Sequence, residues 1–393
     1  MYFTAGTNLF HLNEDGSVAW IRPLFDGVFT EEATESSPAL AYADTAGNVD
    51  RIYVGAKTPS GTGGSLFAFD AGGNLVWTAP MADAVRISPL VLPDGSVIIG
   101  DQSGLVRRVS RSGAPIWGRV LPGPVPAGQP LQINDARGYG GWAAVGVGCG
   151  DWRMYGLHVR TGAILGSFQA TGTPTGVALD ANAGVMYAAT AAGELMVIPK
   201  DGPGLPLTLT VTGSFAAGLN TMIGNGGDMV FATNTNGFLY YFSANNPLGS
   251  LGSSPTGPSR STPAFATLSD GLVWGADEGR IWQVSAPGAT VFDVPGAPAF
   301  GTASPALWHD ASSRPTFYNG AVDGRMYCFV DGPLPPTGLS ALAAPGQVNL
   351  TWSFSGQGYF SVDGYRVYRA TCDCEGSAVA IGKTTGLWAT AFV

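Results

Sequence analysis

The chain has 393 residues, of which 45% are hydrophobic, 11% aromatic and only 12% charged, with 58 glycines and 28 prolines. That much apolar and aromatic content excludes a disordered chain, and glycine and proline at this level serve the many turns of an all-β protein. A net charge of −9 disfavours nucleic acid and anionic membrane surfaces as partners, and no apolar run approaches the ~18 residues that span a bilayer.

The chain opens on Met1-Tyr2-Phe3-Thr4-Ala5-Gly6, a strand already in progress rather than a charged segment followed by an apolar one. The second unit shows four short strands, at Ser37-Pro38-Ala39-Leu40, Arg51-Ile52-Tyr53-Val54-Gly55, Leu66-Phe67-Ala68-Phe69-Asp70 and Asn74-Leu75-Val76-Trp77. The third unit repeats them as Ser88-Pro89-Leu90, Val97-Ile98-Ile99-Gly100, Val106-Arg107-Arg108-Val109 and Pro115-Ile116-Trp117. Later units open on Thr262-Pro263-Ala264-Phe265 and Ser304-Pro305-Ala306-Leu307. These are β-branched and aromatic runs bounded by Gly, Asp and Asn, the pattern of strands and hairpins.

One signature recurs through all of this. Apolar pairs three residues apart appear at Leu9/Leu12, Leu66/Phe69, Val106/Val109, Met154/Leu157, Leu195/Ile198, Leu239/Phe242, Ile281/Val284 and Met326/Phe329. Turn glycines stand just before six of them, at Gly64, Gly104, Gly193, Gly237, Gly279 and Gly324. Four strands repeated every roughly forty residues mean a propeller blade, and eight repeats predict an eight-bladed ring over 1–330. A proline opening the first strand is tolerated where that strand has an open edge towards the central channel. A glycine before the third strand supplies the positive φ of a bulged hairpin turn. The tryptophans closing the first three units, Trp20, Trp77 and Trp117, are expected to dock between adjacent blades.

The second unit resembles the quinoprotein-like (pyrroloquinoline-quinone-like) β-propeller repeat, through Val54-Gly55, Gly64-Ser65-Leu66-Phe67-Ala68-Phe69-Asp70 and Gly73-Asn74-Leu75-Val76-Trp77. The resemblance covers about 1–330 and weakens from the fourth unit, where the closing Trp is lost. A WD-repeat propeller is the rival, but its Gly-His and Trp-Asp dipeptides are absent. The first unit starts at a second strand and the eighth stops after a third, at Cys328-Phe329-Val330. A preceding segment is therefore expected to supply the missing strands and close the ring; the alternative is a start at Met1 and an imperfect closure.

Residues 331–337 read as a Pro-rich linker, from Asp331-Gly332-Pro333-Leu334-Pro335-Pro336. Residues 338–393 resemble the first half of a fibronectin type III domain: Trp352 matches that family's core Trp and Tyr365-Arg366-Val367-Tyr368 its Tyr-x-Val-Tyr strand. So short a segment does not make a sandwich of about 100 residues alone. Either it is truncated or something else completes the sheet.

The quinoprotein resemblance raises dehydrogenation of an alcohol or sugar as an activity. The vicinal cysteine pair, the clustered acidic calcium site and the Cys-x-x-Cys-His haem motif that such enzymes use are all missing. No catalytic, cofactor or metal residue is assigned. His11, His158 and His309 lie apart, without metal-ligand spacing. Asp101, Asp277 and Asp323 occupy equivalent turns, where side-chain-to-backbone bonds explain them and a shared calcium role is the alternative. Gly146-Val147-Gly148-Cys149-Gly150 mimics a glycine loop but precedes a strand and lacks lysine. Cys372-Asp373-Cys374 allows a strained local disulfide, two thiols, or bonding to a neighbouring subunit. The expected function is a secreted or cell-surface scaffold, periplasm included, whose propeller binds protein within a larger extracellular assembly, without a cofactor. A carbohydrate- or polymer-binding accessory module, with glycan as partner, is the first alternative, and quinone-dependent dehydrogenation the second.

Overall fold

The computed structural model describes residues 1–13, 17–33, 35–44, 47–126, 132–134, 144–180, 185–199, 207–216, 219–222, 229–243, 252–265, 273–276, 280–285, 288–293, 299–300, 304, 306–309, 315–330, 337–344, 347–353, 366–369, 379–383 and 391–392. Among these residues every regular element is a strand. The chain divides into two compact units, Met1–Leu307 with Tyr318–Tyr327, and Trp308–Phe317 with Cys328–Val393.

The strands before residue 331 form eight successive sheets among the described residues, each built from consecutive strands. Sheet one has three, Tyr2–Ala5, Asn8–Leu12 and Val18–Pro23. Sheet two has four, Ala39–Tyr42, Val49–Lys57, Gly64–Phe69 and Leu75–Met81. Sheet three follows as Leu90–Val91, Val97–Gly100, Leu105–Val109 and Pro115–Val120, and sheet four as Gln132–Asn134, Ala144–Cys149, Arg153–His158 and Ile164–Gln169. Sheets five, six and seven repeat the four-stranded order, with third strands Glu194–Pro199, Phe238–Ser243 and Arg280–Ser285. Sheet eight has Ala306–His309, Pro315–Gly320 and Met326–Val330.

All eight recurring apolar pairs fall on these third strands, counting Asn8–Leu12 as the third of a unit that lacks a first. Residues three apart in a strand point to opposite faces. Leu66, Val106, Met154 and Leu157 are nonetheless wholly buried, and Phe69 and Val109 nearly so. Both faces of a sheet are therefore covered, each by a neighbouring sheet. First strands of consecutive sheets approach each other, Ala39–Tyr42 with Leu90–Val91 and Pro174–Asp180 with Leu219–Met222, so these strands lie innermost. The Ser-Pro heads contribute here. The Ser88 hydroxyl accepts from the Ser37 amide at 3.0 Å, and the Ser304 hydroxyl from the Thr262 amide at 3.0 Å, each joining one sheet's head to the next.

The three tryptophans repeat one geometry. Trp20 donates Nε1–H to the Ala71 carbonyl, Trp77 to Arg111 and Trp117 to Val159, at 3.3, 2.9 and 2.8 Å. Each acceptor lies in the third-to-fourth turn of the following sheet. A Cβ placed on the left-handed glycine of that turn (Gly73, Gly113 or Gly162) would stand 2.9, 2.9 or 2.5 Å from the Trp ring. The ring lies flat against a glycine because no other residue leaves room. Arg22 and Arg119, two residues beyond their tryptophans, add bonds to the Gly73 and Gly162 carbonyls at 2.8 Å.

Of the predicted turn glycines, Gly104, Gly193, Gly237 and Gly324 have φ of 87°, 79°, 94° and 78°. Gly279 lies outside the described residues. Gly64 is a correction: it is the first residue of its strand, and the positive φ falls to Gly61 and Gly63 in a longer turn. Gly64 is needed for another reason, since a Cβ there would run into the Ala56 carbonyl oxygen.

In the second unit, Thr337–Ala344, Gln347–Ser353 and Ala391–Phe392 make one sheet, with Gln347–Ser353 central. Arg366–Arg369 and Val379–Lys383 make a separate pair. Trp352 is buried, while Leu339, Leu342 and Val348 are exposed. Cys372 and Cys374 lie outside the described residues, as do 331–336.

Candidate functional site

In a four-stranded meander the second-to-third turn and the connection leaving the fourth strand emerge at the same end of the sheet. Polar side chains stitch the two together at successive sheet boundaries. Asp101, fully buried, accepts from the Ala82 and Asp83 amides of the incoming connection through Oδ2, and from Ser103 and Leu105 of its own turn through Oδ1. Glu194 accepts from the Thr171 amide and hydroxyl at 2.7 and 2.8 Å. Asn236 donates to the Thr212 carbonyl at 2.7 Å. Ser65 donates to Glu31 at 2.8 Å. Such bonds hold this end rigid, which suits it to carry recognition groups.

Two features stand out on that end. The connection between sheets one and two forms a tight turn at Phe25–Thr30, closed by an isolated bridge between those residues. Asp26 caps it, accepting from the Val28 and Phe29 amides at 2.7 and 2.6 Å. The turn presents Phe25, Val28 and Phe29 to solvent, at 46%, 71% and 52% exposure. Three large apolar side chains on a capped, projecting turn are not explained by packing.

The second feature is Trp152. Counted from the recurring pair, it stands two residues before Met154, where Gly104 and Gly193 stand before Val106 and Leu195. Its φ is 65°, left-handed like theirs, and it alone among the described non-glycine residues has a positive φ. Its backbone is fixed by the Ala170 amide and the Gln169 side chain, both bonded to its carbonyl. The ring is 51% exposed. A bulky residue in the left-handed region costs about 1–2 kcal/mol, and burial of this ring does not offset it. The sequence does carry the signal: unit four is the one four-stranded unit whose turn lacks the glycine.

The groups singled out for chemistry do not converge. Among the described residues no three His, Cys, Asp or Glu side chains come together as metal ligands. His11 stacks on Tyr2 at 4.2 Å, and burial lowers its pKa, helped by the nearby N-terminal charge. His158 Nδ1 accepts from the Thr161 amide and so shapes its own turn. Gly146 and Gly148 lie within the strand Ala144–Cys149, and Cys149 is wholly buried, its thiol pushed up to about 11 chiefly by desolvation. Asp323 caps its turn by accepting from the Arg325 amide, while Asp277 and the side chain of His309 lie outside the described residues.

No protein-family model matches the chain, and no curated protein matches it. Solved structures do. BamB from Moraxella catarrhalis is 18% identical, with 91% of this chain and 92% of that one covered at a TM-score of 0.57. The C-terminal WD40 domain of Sif2 is 12% identical, with 83% and 90% covered at a TM-score of 0.61. At such identities the likeness is one of fold, and the fold is an all-β propeller.

Proposed function

We propose that this chain is a non-enzymatic binding scaffold, secreted or on the cell surface with the periplasm included, whose eight-bladed propeller engages another protein. The observation that carries this reading is Trp152: a half-exposed tryptophan kept in a strained backbone where its sister turns use glycine. Strain retained at an exposed position points to function, and tryptophan leads the residues that anchor protein interfaces. Phe25, Val28 and Phe29 add apolar area at the same end of the sheets. The absence from the sequence of a vicinal cysteine pair weighs against quinone chemistry on the same framework. The tryptophan-on-glycine contacts support a quinoprotein-like repeat through sheets one to four. Among the described residues, Thr337–Ala344, Gln347–Ser353 and Ala391–Phe392 share one sheet and Arg366–Arg369 pairs separately with Val379–Lys383, which supports the reading of 338–393 as part of a fibronectin type III domain. The neighbouring propellers, BamB and the WD40 domain of Sif2, are consistent with a module that binds proteins.

The test is site-specific photo-crosslinking in the native host, with the reactive residue at 152 or 28 and, as control, at Ile21, exposed within the outer strand of sheet one. One protein captured from both 152 and 28, and not from 21, is the expected result. No protein adduct from either position, together with specific retention on an immobilised glycan that Trp152→Ala abolishes, would replace the scaffold with the carbohydrate-binding alternative.

A further inference from the structure

At the opposite end of the sheets, a cleft of about 530 Å³ opens between sheets two and three. Arg51 enters it from the second strand of sheet two; Asp94 and Ser96 come from the first-to-second turn of sheet three. Arg111 and Ser112 come from that sheet's third-to-fourth turn, and Ile116 from its fourth strand. This is the turn on which Trp77 lies, so the main chain of Arg111 is pinned by the indole bond to its carbonyl.

The ion pairs are arranged to leave guanidinium donors unused. Asp50 bridges both arginines, with Arg111 Nη2 at 2.6 Å and Arg51 Nη1 at 3.2 Å. One carboxylate thus holds two guanidinium groups side by side. Asp94 is matched by Arg108, which is itself buried and bonded to Ser96 and to the Val159 carbonyl. Desolvation opposes ionisation of Asp94, yet the bonds from Ser96 and the Arg108 charge hold its pKa below the usual range, so it stays an anion committed to those partners. Asp70 also lies within electrostatic reach of Arg51, so three arginines stand among three aspartates, and what distinguishes the cleft is its unused donors. The Arg51 Nε–H is buried with no hydrogen-bond partner in the protein, and the Arg111 side chain is 54% exposed with donors to spare. The arrangement asks for one planar anion that accepts from the Arg111 guanidinium fork beside the Arg51 charge, with an apolar stem against Ile116, itself 46% exposed.

We propose that this cleft binds the carboxylate of a glutamate or aspartate side chain presented by a partner polypeptide. The proposal rests on the scaffold reading and adds to it a second contact, distinct from the Trp152 end. Donor complementarity selects the occupant: guanidinium donors left unused suit a single carboxylate, and the volume admits the acidic side chain with its flanking backbone.

The experiment is calorimetric titration of the full chain with an acetylated, amidated peptide of alternating glycine and glutamate. Its glutamine counterpart and an oligogalacturonate run in parallel. The glutamate peptide is expected to bind, to weaken as salt rises, and to weaken by about tenfold or more in Arg111→Gln. Arg51→Gln is expected to do the same. Arg111→Gln keeps the main-chain carbonyl that Trp77 uses, so its melting temperature should match the parent; Arg111→Lys should fall between the two. No binding of the glutamate peptide at millimolar concentration, equal binding of the glutamine peptide, or an unaffected Arg111→Gln overturns the site. Tighter binding of the oligogalacturonate overturns the polypeptide assignment. Crosslinking from 152 and 28 is independent of these arginines, so a failed titration beside a successful crosslink removes the cleft and leaves the scaffold.

Discussion

Single residues carry the information that the repeat does not. Trp152 breaks the glycine rule of its turn, and two substitutions separate strain from recognition. Trp152→Ala keeps the left-handed backbone under a Cβ and removes the ring, whereas Trp152→Gly removes both. We expect Trp152→Gly to be the more stable of the two by about 1 kcal/mol in urea unfolding, with partner binding lost in both. Equal stabilities would show that the turn is not strained. Glu31 presents the converse case, a side chain only 1% exposed whose Oε2 has no partner while Ser65 serves Oε1. Desolvation raises its pKa, against the bonds from Ser65. A raised folded-state pKa means that stability from this group is fully present below the unfolded carboxylate range and is lost as pH rises through the folded value. Glu31→Gln should therefore be more stable than the parent near neutrality, with the difference closing in mild acid. A difference independent of pH would mean that Glu31 titrates alike in the folded and unfolded chain. Neither behaviour is legible in the sequence, where Glu31 is one acidic residue of a polar connection.

At the scale of the element, the unit of cohesion is a tryptophan on one sheet and a glycine turn on the next. Gly113 and Gly47 make a matched pair for testing it. Both have positive φ, 90° and 85°, but a Cβ on Gly113 meets the Trp77 ring while one on Gly47 meets nothing within 4 Å. Gly47→Ala should cost only the backbone term of about 1 kcal/mol, and Gly113→Ala about 2–4 kcal/mol, because the ring must also be displaced. Near-equal losses in thermal unfolding would reduce the tryptophan to a surface residue. The fourth strands show why this contact matters. They carry the exposed aliphatics Leu75, Val76, Ile116, Ile164 and Leu165, and an outer strand with an apolar face needs anchoring. The Trp at the strand and the Gly in the turn are both readable in sequence. That they belong to successive sheets, and meet, is not, because 36 to 53 residues separate them.

For the whole molecule, the propeller positions strand ends and leaves chemistry to what those ends carry. Supplied with pyrroloquinoline quinone and calcium, the purified chain is expected to take up neither quinone absorbance nor dehydrogenase activity; stoichiometric uptake would overturn the scaffold reading. Much of the architecture lies in local pattern. Apolar residues three apart need cover on both faces, and their recurrence requires sheets stacked face to face, a demand that any one unit states by itself. The sequence by itself therefore determined the all-β class, the repeat, the third strands, and most of the turn glycines. Only the tertiary structure decided what each end of the sheets carries. It moved the left-handed position of sheet two from Gly64 to Gly61 and Gly63, left Trp152 half-exposed, and put Arg51 and Arg111 on one carboxylate across a sheet boundary. The reason is physical: periodicity reports the burial of neighbours along a strand, whereas a site is made by side chains from different sheets, whose meeting depends on how those sheets stack.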